Sequence, residues 1–139
     1  MAQSIREVMT ADPRTVDPDA TLVDAAREMR DGDVGALVVV DGGAVAGVVT
    51  DRDIVVRAIA DGRDPSATKV RDVATMNPVT LTVDQTVEDA IRVMREQDIR
   101  RIPVVQDGRP AGIVSLGDLA IERDTESALA DIASEPPNN

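Results

Sequence analysis

Residues 36–53 read ALVVVDGGAVAGVVTDRD, and residues 101–118 read RIPVVQDGRPAGIVSLGD. Each stretch is an apolar run, a glycine turn and a second apolar run. Each ends in Gly, two apolar residues, a hydroxyl, two variable residues and Asp: Gly47-Val48-Val49-Thr50-Asp51-Arg52-Asp53 and Gly112-Ile113-Val114-Ser115-Leu116-Gly117-Asp118. Short apolar runs bounded by Gly and Asp are strand signals, and the tight turn joins each pair as a hairpin. The offset of 65 extends outward: Pro13 meets Pro78, Asp19 meets Asp84, Thr21 meets Thr86, Ala25 meets Ala90 and Met29 meets Met94. From position 5 to 54, roughly 20 of about 50 positions are identical to their counterparts, the signature of a repeated supersecondary unit. Two copies imply a two-fold internal architecture with two equivalent clefts, and the differences between the copies then carry functional information.

Upstream of the hairpins, residues 5–10 and 70–75 read as short helical turns. Pro13 and Pro78 then favour extended chain, and Arg14-Thr15-Val16 and Val79-Thr80-Leu81 suit short strands. Thr21 with Asp24, and Thr86 with Asp89, have the spacing of a capping box. Each opens a helix with an apolar stripe: Leu22, Ala25, Ala26 and Met29 in one, Val87, Ala90, Ile91 and Met94 in the other. Downstream, a further helix starts at Thr50 or Ser115, the first reaching about residue 60 and the second running toward residue 134. The unit is strand, helix, strand, strand, helix, an α/β (α+β) pattern. The expected boundaries are a first repeat at 5–61, a polar linker at 62–69, a second repeat at 70–121, a helical extension at 122–133 and a disordered tail at 134–139.

Each repeat alone is small for a stable core, so the two are expected to share one. Of the 139 residues, 42% are apolar and none is Phe, Tyr or Trp, so Val, Ile, Leu, Ala and Met build the interior and no aromatic ring is available to stack on a ligand. A net charge of −11 repels phosphate backbones, which argues against a nucleic-acid-binding module. The absence of Cys and His removes thiolate and imidazole metal ligands and any Ser-His or Cys-His nucleophile pair. No apolar stretch has the length of a membrane span and no signal-peptide pattern opens the chain, so a cytoplasmic protein is expected.

The handover from strand to helix carries the chemistry. Its glycine permits close approach by a ligand or by another backbone. Its hydroxyl stands beside unpaired N–H groups at a helix N-terminus, where an anion is favoured. Its Asp, one turn on, can accept two hydrogen bonds from a diol such as the 2′ and 3′ hydroxyls of ribose. A hydroxyl with Asp three residues later is also simply a helix cap that needs no ligand. Recurrence at a fixed offset, each time after Gly and an apolar strand, favours a binding role.

These residues identify the resemblance. The repeat is similar to a tandem pair of CBS domains, from residue 5 to about 120, and in particular to small free-standing CBS-pair proteins of the hypoxic response type. The resemblance implies two β-α-β-β-α repeats packed in a pseudo-two-fold disc, a Bateman module. It implies a non-catalytic sensor that binds AMP, ADP, ATP or S-adenosylmethionine in clefts between the repeats. The hydroxyl and Asp would contact ribose and phosphate, and an Arg just before the hairpin would contact phosphate. On that basis the stronger ligand site is expected at Ser115, Asp118 and Arg101, with Arg14 near the adenine and Val34 lining it. Gly35-Ala36 replace Arg100-Arg101 in the first copy, so a weaker site is expected at Thr50, Asp53 and Arg52. No cofactor is required, and Mg²⁺ would accompany only a nucleotide.

The expected partners are an adenine nucleotide, a second copy of the chain and an unidentified regulated protein, with neither nucleic acid nor membrane among them. Ile54, Val55, Ala58 and Ile59, with Leu119 and Ile121, are the expected dimer face. The alternative is a ligand-free structural or protein-interaction module. An enzyme is not expected, since no cluster of carboxylates or arginines stands out as catalytic machinery.

Overall fold

The structure, a computed structural model, describes residues 3–123, with side chains to residue 120. The elements in order are α1 (Ile5–Val8), β1 (Thr10–Ala11), β2 (Thr15–Val16), α2 (Leu22–Gly32), β3 (Ala36–Asp41), β4 (Ala44–Thr50), α3 (Asp51–Ile54), β5 (Thr75–Met76), β6 (Leu81–Thr82), α4 (Val87–Gln97), β7 (Arg101–Gln106), β8 (Arg109–Ser115) and α5 (Leu116–Arg123). A π turn, Val55–Ile59, continues α3, and a 3₁₀ turn, Val70–Asp72, precedes β5. Of the extension expected at 122–133, only the backbone to Arg123 is described. The remainder, with the tail at 134–139, lies outside the described residues.

Helices α2 and α4 form where the caps foretold them. The Thr21 and Thr86 hydroxyls accept from the N–H of Asp24 and Asp89, and the two carboxylates accept in return from the threonine N–H groups. Both helices end on an aspartate in the left-handed region, Asp33 at φ 52° and Asp98 at φ 54°. The N–H groups of Val34 and Ile99 reach back to the carbonyls of Met29 and Met94 at 3.0 and 3.1 Å. This is a Schellman closure made without its usual glycine.

The strands form two four-stranded sheets, ordered β2-β3-β4-β5 and β1-β8-β7-β6. Strand β5, which leads the second repeat, pairs antiparallel with β4 of the first, and β1, which leads the first, pairs antiparallel with β8 of the second. The leading segments are thus exchanged. The hairpins are built to receive them. A bulge leaves Ala46 out of the β3–β4 ladder, and its carbonyl accepts from the N–H of Asn77 at 2.9 Å; Ala111 does the same for Asp12 at 3.4 Å. A Cβ on Gly47 would lie 2.8 Å from the Thr75 carbonyl oxygen, and one on Gly112 would lie 2.7 Å from that of Thr10. Of the two uses open to the motif glycines, close approach of another backbone is the one realised.

The exchange reaches the helix ends. Leu22 N–H donates to the Thr68 carbonyl, and Val87 N–H to that of Gln3, both at 3.0 Å. The linker is therefore partly docked, and Thr68 is buried.

The interior holds two cores where one shared core was expected. The first gathers Leu22, Ala25, Met29, Leu37, Val39 and Val49 around Val70 and Val73; the second gathers Leu81, Ala90, Met94, Ile102, Val104 and Val114 around Ile5. Each sheet covers its own helices with one face, so the apolar surface divides in two, and the exchanged segments complete each half. The hairpins approach each other, and Val45 N–H donates to the Gly108 carbonyl at 3.1 Å. The symmetric bond would need an N–H on Pro110, which has none, so this link is made once.

The expected dimer face is corrected in part. Ile54, Ala58 and Leu119 point into the cores and are buried. Val55 and Ile59 are exposed, and Val56 and Leu116 join them. Positions four apart share a helix face, so Ile54 and Ala58 turn inward together. The side chain of Ile121 is outside the described set.

Candidate functional site

Two clefts lie between the repeats and are equivalent under the 65-residue shift. The first, about 450 Å³, takes Ser115 and Asp118 from the second repeat and Arg14, Val34, Gly35 and Ala36 from the first, with Arg101 at its wall. The second, about 670 Å³, takes Thr50, Arg52 and Asp53 from the first repeat and Val79, Ile99, Arg100 and Arg101 from the second. All five residues expected at the stronger site stand on the first cleft and all three expected at the weaker stand on the second. They come from distant segments because β1 and β5 cross over: Pro13 and Pro78 follow one residue after the exchanged strands and line the clefts.

The handover residues are also helix caps. Ser115 Oγ accepts from Asp118 N–H at 3.1 Å, and Asp118 Oδ2 accepts from Ser115 N–H at 3.0 Å. Thr50 and Asp53 repeat this at 3.1 and 2.9 Å. Cap and ligand contact are not exclusive here, because the cap uses one carboxylate oxygen. Asp118 Oδ1 has no partner among the described residues and is free to accept from a diol. Asp53 Oδ1 differs. It lies 3.8 Å from Arg57 Nε, and Arg57 Nη1 donates to the Val73 carbonyl at 3.0 Å.

The arginines are arranged less simply than the sequence suggested. Arg101 lines both clefts, and Arg100 lines only the cleft of Thr50 and Asp53. The copy difference at Gly35-Ala36 therefore does not reserve the cationic pair for the cleft of Asp118, because the residues before each hairpin face the opposite repeat. Arg52, Arg100 and Arg101 have no ion-pair partner among the described residues, whereas Arg14 is bound to Glu28 at 2.8 Å. Sequence reasoning missed Asp12 and Asn77, which precede the two prolines, and Gly32, at the end of α2. Each lines a cleft, and the shift that pairs Asp12 with Asn77 was the signal available for those two. No group of three metal-ligating side chains occurs among the described residues. No helix among them is long and apolar enough to cross a membrane.

The CBS domain family model matches at residues 5–59 and 70–123, so the chain belongs to the CBS domain family and carries the domain twice. Proteins of this kind are regulatory modules and as a class are not catalysts. The chain is 40% identical over 120 residues to the CBS domain-containing protein YhcV of Bacillus subtilis, covering 86% of this chain and 85% of that one. It is 34% identical over 116 residues to Hypoxic response protein 1 of Mycobacterium tuberculosis, covering 83% and 81%. The crystal structure of Hypoxic Response Protein I with two coordinated zinc ions superposes with a TM-score of 0.76 at 34% identity, over 85% of this chain and 97% of that one. The hexameric CBS-CP12 protein from bloom-forming cyanobacteria gives a TM-score of 0.82 at 30% identity, over 92% and 77%. The fold is accordingly the paired CBS disc.

Proposed function

We propose that this chain is a non-catalytic sensor that binds an adenosyl ligand, AMP, ADP, ATP or S-adenosylmethionine, in the clefts between its two repeats. The observation that carries this reading is the convergence of Arg14, Val34, Arg101, Ser115 and Asp118 on one cleft, with the outer oxygen of Asp118 unengaged. A ribose diol donates to that oxygen, and the phosphate falls to Arg101. The cleft of Thr50, Arg52 and Asp53 is the weaker one, because Arg57 already stands beside the free oxygen of its carboxylate. Zinc is not carried over from the structural relative, since the chain has neither Cys nor His. The sensor works as a homodimer, in which Val55, Val56 and Ile59 supply an exposed apolar face. A ligand then changes assembly by binding one state more tightly than another.

Calorimetric titration with each of the four ligands tests the reading. Saturable heat with one of them, lost in Asp118→Ala, supports it. No heat with any ligand at two temperatures, on protein free of 260 nm absorbance, overturns it in favour of an interaction module that regulates a partner protein without a ligand.

A further inference from the structure

Helix α2 ends on Gly32, whose backbone is helical and therefore makes no demand for glycine. Glycine costs up to about 1 kcal/mol relative to alanine inside a helix and less at its last residue, so the space around Gly32 is what bears on the choice. That space is taken by Arg14. A Cβ on Gly32 would collide with Arg14 Cδ and Nε and would crowd Cζ at 3.1 Å. The side chain of Arg14 is laid across the bare backbone of α2, and Glu28, one turn back on the same helix, holds its Nη1 at 2.8 Å. Both Arg14 and Gly32 line the cleft of Asp118. The second copy has none of this arrangement: the positions equivalent to Arg14, Glu28 and Gly32 are Val79, Val93 and Gln97.

The chain contains no Phe, Tyr or Trp, so no ring can stack on a heterocyclic base. A guanidinium is planar and delocalised, and it stacks on base faces where an ammonium does not. We infer that Arg14, seated on Gly32 and clamped by Glu28, is a specificity-determining residue that serves as the stacking platform for a purine base in the cleft of Asp118. Glu28 matters in two ways. It fixes the orientation of the plane, and it offsets the charge, so that Arg14 recognises the base and Arg101 is left to the phosphate. The inference rests on the adenosyl reading of that cleft and adds the residue that holds the base.

The test separates plane from charge. Kd values for AMP and for ribose 5-phosphate, which lacks the base, are measured on the wild type and on Arg14→Lys, Arg14→Ala and Gly32→Ala, with circular dichroism and melting to verify folding. The expected result is that Arg14→Lys weakens AMP as much as Arg14→Ala, by about tenfold, while ribose 5-phosphate binds all variants alike. Gly32→Ala, which displaces Arg14 and leaves its chemistry intact, should weaken AMP in the same way. If Arg14→Lys keeps wild-type affinity for AMP, or if ribose 5-phosphate weakens in step with AMP, Arg14 acts as a charge and the inference fails while the sensor reading stands. If wild-type protein binds no AMP and no other adenosyl ligand, the sensor reading itself fails and the platform goes with it.

Discussion

Among the described residues a threonine or serine followed three residues later by aspartate caps a helix four times, and only two of the four stand in clefts. The cap is thus common structural chemistry, and the ligand contact depends on what lies opposite. Ser115→Ala and Thr21→Ala should each cost about 1 kcal/mol in urea unfolding, but only Ser115→Ala should also weaken a nucleotide. Equal effects on binding would mean that the cap alone matters. At Asp89 the bond from the Thr86 backbone N–H holds the carboxyl below its ordinary value of 3.8, against an opposing effect of burial and with help from Arg92. A folded pKa lowered in this way contributes stability that is present above the unfolded value and is lost as pH falls through the folded one. The deficit of Asp89→Asn in urea should therefore be full at pH 7, begin to shrink near pH 3.8 and vanish only below the lower folded value. The handover residues were legible because they recur at a fixed offset. Gly32 and Glu28 were not, because their meaning lies in a side chain that reaches them from outside α2.

The helices and hairpins were legible from periodicity, caps and turn residues, all of which act within a few positions. The partners of β1 and β5 were not. Two-residue strands carry no pattern, and either hairpin offers the same glycine and the same bulge, so nothing local says which copy a leading segment joins. Nor did residues 54–59, apolar except for Arg57, say which face turns inward, which left Ile54 and Ala58 to be taken for surface. The glycines give the exchange an experimental handle. Gly112→Ala puts a methyl 2.7 Å from the Thr10 carbonyl and against Met9 Sδ, and should lower stability by about 1–3 kcal/mol as β1 is pushed from β8. Gly117→Ala, whose nearest neighbour is Ser115 Oγ at 3.7 Å, should be neutral or slightly stabilising. Thermal melts of the two variants decide this, and a harmless Gly112→Ala would refute the close approach.

At the scale of the molecule the repeat foretold the pseudo-two-fold disc, but not that the interior splits in two, since burial depends on which faces meet. Charge is the other whole-molecule property. A net charge of −11 opposes compaction, while exposed ion pairs such as Arg71 with Asp19 at 2.7 Å contribute little. Screening should relieve the repulsion more than it weakens the pairs. The melting temperature should thus rise from about 10 mM to about 0.5 M NaCl, and a fall would show that the pairs dominate. The crossing of β1 and β5 has a further consequence, for how the chain can be divided. Every residue of the first core, from Val16 to Val73, falls between Pro13 and Asn77, whereas the second core spans Leu81 to Leu119 and also needs Ile5. The period written in the gene and the period of the folded body are therefore out of phase by several residues. A piece cut at the repeat boundaries lacks the segment that closes its own interior, Val70 and Val73 or Ile5, and carries the one that closes the other, while a piece cut at the prolines carries one interior whole.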